Sequence, residues 1–125
     1  RKGTDMAPAA CNGDCSRISE LLSRLGDRWS TLIIFRLGNG KTRFNALKRD
    51  LGISQRMLSL TLRDLERDGL VLRTYHPTIP PSVEYELTAL GKSLRGPVGG
   101  IADWLMEHGA EVDAARAAFD GQSAA

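Results

Sequence analysis

Two cysteines and two histidines are all that this chain of 125 residues offers to a metal or a redox centre. Cys11 and Cys15 stand four positions apart, and neither His76 nor His108 lies at ligand spacing from them, so no metal site is expected. Two cysteines also fall short of a structural disulfide framework. No apolar run approaches the roughly 18 residues that a membrane span requires. No charged-then-apolar leader with a small-residue cleavage site opens the chain, and a cytoplasmic protein is expected. Gly-rich phosphate loops, a G-x-S-x-G elbow and clustered metal ligands are missing as well. Cys15 with a distant histidine makes no nucleophilic dyad. These absences argue against an enzyme and against any bound cofactor.

What is present is an ordinary apolar fraction of 42% with 26% charged residues, enough for one core and one domain. The net charge of +2 is unevenly spread. Arg36 to His76 holds nine Lys or Arg against four Asp or Glu, a balance of +5, whereas Ile101 to Ala125 holds one Arg against five acids, a balance of −4. The middle of the chain could face a polyanion that the C-terminal part would repel, although both could equally be solvated helix faces.

Residues 1–14 are small, polar and aperiodic, which predicts a flexible arm. From Ser16 the spacing of Ile18, Leu21, Leu22 and Leu25 predicts a helix with a core-facing stripe, broken at Gly26-Asp27. Trp29, Leu32, Ile33, Phe35 and Leu37 predict a second helix, apolar nearly all round and therefore central. Thr42 is the expected N-cap of a short helix carrying Phe44, Leu47 and Leu51, which stops at Gly52. Ser54 is placed to cap the next helix, where Leu58, Leu62 and Leu65 point inward and Gly69 ends the run. Two short helices joined through a glycine turn fit a helix-turn-helix.

The outward positions of that second helix are Gln55, Arg56, Ser59, Leu60 and Arg63. Gln, Arg and Ser suit base edges and phosphates in the major groove, and such helices read bases from their first turns. Gln55, Arg56 and Ser59 are therefore the candidates for base contact and Arg63 for a phosphate, with Ser54 counted among the DNA-binding residues of this helix. Lys41 and Arg43 are candidates for the DNA backbone. Residues 70–75 and 83–87 predict two strands around His76-Pro77-Thr78-Ile79-Pro80-Pro81-Ser82, a turn stiffened by three prolines. A stiff hairpin after a recognition helix is a wing, with Arg73 and His76 as its candidate phosphate contacts.

Cys15 before a Leu-rich helix, Arg28-Trp29, Gly40 with Arg43-Phe44, Ile53-Ser54, and Asp68-Gly69-Leu70 together form a recognisable set. Pro80 followed by Val83-Glu84-Tyr85-Glu86-Leu87-Thr88 and Gly91 completes it. Over roughly residues 15 to 95 the chain resembles the HxlR family of bacterial winged helix regulators, within the MarR-like superfamily. The resemblance implies an α+β, mainly α fold and a homodimer built from the first and last helices. It also implies binding of operator DNA as repressor or activator, and in some members a response to oxidants or electrophiles through a cysteine near the N-terminus. Ser16 stands where that family usually has proline, and Cys11 is an additional cysteine.

The expected organisation is an arm over 1–14, a winged helix-turn-helix domain over 15–95, a dimerisation helix over 96–119 and a disordered tail over 120–125. Gly96-Pro97 should bend or interrupt the chain. Val98, Ile101, Ala102, Trp104 and Leu105 then form a stripe that the small domain does not need for its own core, and Ile101, Trp104 and Leu105 with Ile18 and Leu22 are the expected dimer contacts. Packing back onto Trp29 and the central helix is the alternative. Cys15, at a helix start that favours thiolate, and Cys11 are the candidate redox sensors, against the simpler reading of Cys15 as a small buried hydrophobe. The expected partners are double-stranded DNA, a second copy of the chain, and an oxidant or small-molecule effector. The competing reading is a winged helix that serves as a protein-interaction module without sequence-specific DNA binding.

Overall fold

The computed structural model describes residues 15–124. The expected arm with Cys11, and Ala125, lie outside the described residues.

Helix α1, Cys15–Gly26, opens the described chain. Its leucine stripe does not enter the core as expected. No residue of α1 is buried, and Ile18, Leu21 and Leu22 face outward at 39%, 54% and 60% exposure. At its C-terminal end the helix docks on the domain, where Leu25 packs on the core and the Thr31 hydroxyl donates to the Leu25 carbonyl. Asp27 does more than break α1. Its carboxylate accepts the Ser30 N–H at 2.9 Å and the Ser30 hydroxyl at 3.1 Å, capping α2, Arg28–Leu37.

Helix α2 is the central one, as expected, but it is not buried all round. Ser30, Ile33, Ile34 and Leu37 face inward while Leu32 and Phe35 remain open. Thr42 does not cap a helix. It belongs to a two-residue strand, β1, Thr42–Arg43, that the sequence pattern does not predict. The Thr42 hydroxyl donates instead to the Gly40 carbonyl at 2.9 Å. Arg43 takes the N-cap position of α3, Phe44–Leu51, without a side-chain cap. Gly52 ends α3 in the left-handed conformation (φ 64°), which glycine adopts without strain. Ser54 caps α4, Gln55–Arg67, by accepting the Met57 N–H at 3.1 Å.

The wing follows as β2, Val71–His76, and β3, Ser82–Leu87. They pair antiparallel from Val71↔Leu87 to His76↔Ser82. On its other edge β3 pairs with β1, Thr42↔Tyr85 and Arg43↔Glu84, giving a three-stranded sheet in the order β1-β3-β2. The core joins Ile33, Ile34 and Leu37 of α2, Leu47 of α3, Leu58, Leu62 and Leu65 of α4, and Tyr85 and Leu87 of β3. This is the expected winged helix-turn-helix, mainly α with one small sheet.

A four-residue helix, α5, Ala89–Lys92, is capped by Thr88 and leads almost directly into α6, Arg95–Ala124. Gly96 and Pro97 do not interrupt the chain. They lie in the first turn of α6, where proline's missing N–H would have had no helical partner in any case. The helix continues through Ala124, past the expected boundary at 119.

Candidate nucleic-acid interface

Helix α4 turns about 100° per residue, which separates its faces cleanly. Leu58, Thr61, Leu62 and Leu65 are buried against α2 and the sheet. Arg56, Leu60, Arg63 and Arg67 lie opposite them, with Gln55 and Ser59 beside this strip, and all six are exposed. Leu58 at 0% and Leu62 at 1% exposure hold the helix firmly while its outer face stays open. Thr61, the one polar residue of the buried face, satisfies its hydroxyl by donating to the Met57 carbonyl at 2.7 Å.

Three acids, Asp64, Glu66 and Asp68, follow in the same helix and its cap, and two of them are held aside. Arg24 of α1 donates from Nε to Asp68 Oδ2 at 2.6 Å and from Nη1 to Asp64 Oδ2 at 3.1 Å. The hydrogen bond to Asp68, aided by the charge of both carboxylates against the cost of burial, raises the Arg24 pKa above its ordinary value. One guanidinium thus offsets part of the charge of two acids that would otherwise oppose a polyanion. Helical spacing sets Asp64 beside Leu60 at the margin of the outer face, and it does not reveal the cation that holds these acids. Arg24 faces them across 40 and 44 residues of chain, a separation beyond the reach of local pattern.

The expected backbone contacts divide in the structure. Arg43 is exposed at the edge of the sheet. Arg73 stands opposite Tyr85 in the strand register, close enough to act on its phenol. Burial pushes the Tyr85 pKa up, and Arg73 pulls it the other way. Lys41 reaches Glu86 at 3.6 Å and is therefore partly compensated. His76 is tied to Glu84 across the hairpin, Nε2 to Oε1 at 2.6 Å, so a phosphate at His76 would have to displace a carboxylate. Among the expected backbone contacts, Arg43 and Arg73 are the better-placed cations.

Between α3 and the wing lies an open groove of about 910 Å³ whose walls include Arg43, Arg49, Arg73, Asn45 and Tyr75. Arg49 and Asn45 were not among the expected contacts. They sit one helical turn apart on the side of α3 that Leu47 leaves outward, a spacing readable in the sequence once α3 is placed. Arg36, also from the basic segment, is occupied elsewhere. It donates to Asp50 from Nη2 at 2.9 Å and from Nε at 3.2 Å, tying α2 to α3.

Cys15 is the first residue of α1 and is half-buried. The expected dimer contacts fall on two open surfaces, Ile18 and Leu22 on α1, and Ile101, Trp104 and Leu105 on α6, the last three more than half exposed. Trp104 packs on His108 of its own helix at 4.9 Å between ring centroids, while α6 also packs back on the central helix α2 and, contrary to expectation, buries Val98 in the core. No group of three or more metal-ligating side chains occurs among the described residues.

The model for HxlR-like helix-turn-helix proteins matches residues 24–113, most of the chain and all of the site just described. The chain belongs to the HxlR-like family. Among its relatives is the HTH-type transcriptional regulator YtfH of Escherichia coli, 41% identical over 98 residues, which are 78% of each protein. The solved structure of a transcriptional regulator ytfH from Salmonella typhimurium is similar at a TM-score of 0.74, with 39% identity over 78% of this chain and 88% of that one. The redox regulator HypR in its reduced form matches with a TM-score of 0.72 and 34% identity, over 78% of this chain and 98% of that one. This HxlR-like protein is accordingly a transcriptional regulator of the helix-turn-helix type, and not an enzyme. No described helix is long and apolar enough to cross a membrane.

Proposed function

We propose that the chain binds operator DNA as a homodimer, placing α4 of each protomer in a major-groove half-site. The observation that carries this reading is the outer face of α4. It offers Gln55, Arg56, Ser59 and Arg63 outward while Asp64 and Asp68 are held by Arg24. Side chains of these types match the donor and acceptor pattern of base edges in the major groove. Arg43, Arg73 and the newly placed Arg49 line the groove beside the wing and serve the phosphates. Ser54 is exposed, but its hydroxyl is engaged in capping α4, so it contributes to the position of the helix more than to base contact.

Dimerisation is supported by apolar surface that the described residues leave exposed. Ile18 and Leu22 of α1 and Ile101, Trp104 and Leu105 of α6 form it, and a second copy of the chain is its occupant. An oxidant response through Cys15 is supported by its place at the head of α1 and by the likeness to a redox regulator.

Selection from a random DNA pool, under reducing conditions and again with a mild oxidant, tests all three statements. A two-fold symmetric motif is expected from the reduced protein, with loss of that motif in the oxidised arm. Enrichment of no sequence in either arm would favour a protein-interaction module. On the selected site, Arg56→Ala should cost about 1–3 kcal/mol and relax preference at one base pair. A uniform loss across all sequences would instead make Arg56 a phosphate contact.

A further inference from the structure

Leu60 is out of place on the face that carries it. It is 46% exposed and belongs to the strip opposite the buried side of α4. Every other residue of that strip and its nearer flank is polar: Gln55, Arg56, Ser59, Arg63, Glu66 and Arg67. Arg56 lies one turn before it and Arg63 one turn after it. The core does not need Leu60, since Leu58, Leu62 and Leu65 already fill the inner face. Met57, also exposed, lies three residues before Leu60 and about 60° round the helix, at the edge of this strip.

We propose that Leu60 reads the 5-methyl group of a thymine in each half-site. The proposal rests on α4 entering the major groove, as argued above. Base edges there present hydrogen-bonding groups to polar side chains, and the thymine methyl is the apolar feature among them. A leucine between two arginines has that methyl as its matching partner. The helix rise of about 1.5 Å per residue separates Arg56 from Leu60 by about 6 Å along the axis. Base pairs repeat every 3.4 Å or so, which places the thymine about two base pairs from the base that Arg56 contacts.

The test is a scan of the selected operator in which each thymine is replaced in turn by deoxyuridine, which lacks only the methyl. Binding of the full-length protein and of Leu60→Ala is measured by fluorescence anisotropy. Wild-type protein should lose about fourfold in affinity per half-site at one thymine position, the loss expected from exposing one methyl. Leu60→Ala should bind thymine and uracil equally at that position. Its thermal melt should match wild type, because the side chain is exposed and alanine is a strong helix former. An operator at which no thymine shows this loss, or a loss that persists in Leu60→Ala, overturns the proposal and leaves the function standing. Failure to recover any operator overturns both.

Discussion

Gly91→Ala should destabilise this protein severely for a change of one methyl group. Gly91 sits in α5, where a Cβ would lie 2.1 Å from the Leu70 carbonyl oxygen, 3.1 Å from its carbon and 3.2 Å from Leu87 Cδ2. The first two contacts are with backbone, so no side-chain rotation relieves them. The same Leu70 oxygen accepts the Thr88 N–H at 3.0 Å, and the Thr88 hydroxyl in turn caps α5 by accepting the Gly91 N–H at 3.0 Å. Moving α5 away therefore strains that bond as well. Overpacking of a tight site costs about 1–3 kcal/mol, and a weakened hydrogen bond adds about 1 kcal/mol. A total of about 2–4 kcal/mol corresponds to a fall in Tm of roughly 8–16 °C for a domain of this size. Thermal unfolding followed by circular dichroism measures it. A fall of less than about 2 °C would mean that α5 can shift freely over the wing. The close approach of Gly91 to Leu70 would then have no energetic weight.

Other expectations concern the interface and its surroundings. Arg43→Ala and Arg73→Ala should each weaken binding to all sequences alike and reduce the slope of log K against log salt by about 0.9 for each phosphate left without its cation. An unchanged slope would place those residues away from DNA. Trp104→Glu, on the open face of α6, should convert a dimer to monomers in light scattering; a monomeric wild-type protein would refute the assignment of that face. Because burial raises the Tyr85 pKa, the folded chain holds the phenol proton more tightly than the unfolded chain. The resulting stability is whole below the unfolded value near 10 and is lost as pH rises through it to the folded value. Tyr85→Phe should therefore gain in Tm relative to wild type between about pH 9 and 11, and a difference that does not change with pH would refute it.

Much of the domain is legible from periodicity and punctuation. Leu58, Leu62 and Leu65 at helical spacing, Ser54 before them and Gly52 and Gly69 on either side are local signals, and each governs local geometry. What local pattern misreads depends on contacts distant in sequence. Ile18 and Leu22 have the spacing of a core stripe, but whether such a stripe meets the core depends on where α2 and α6 run. Thr42 has the chemistry of an N-cap, yet Tyr85, 43 positions later, recruits it into a strand. Pro97 reads as a breaker only if a helix is already under way; at the start of one it is compatible. Of the site, the outer face of α4 follows from the leucines on its inner face. The compensated states of His76 and Lys41 do not, because Glu84 and Glu86 reach them through the pairing register of the wing.

The pairing of Arg24 with Asp64 and Asp68 ties these two kinds of information together. Helix α1 buries none of its own residues, so its position depends on a few attachments near its C-terminal end. Leu25 against the core, Thr31 on the Leu25 carbonyl and Arg24 on the two acids are those attachments. Both acids that Arg24 joins belong to α4 and its cap, the element that carries the outer polar face. A helix is stiff over a dozen residues, so a displacement at the head of α1, where Cys15 lies, reaches Arg24 about 14 Å away with little loss. Arg24 thus offsets part of the acid charge beside the outer face of α4, while Leu58 and Leu62 fix where that face is presented.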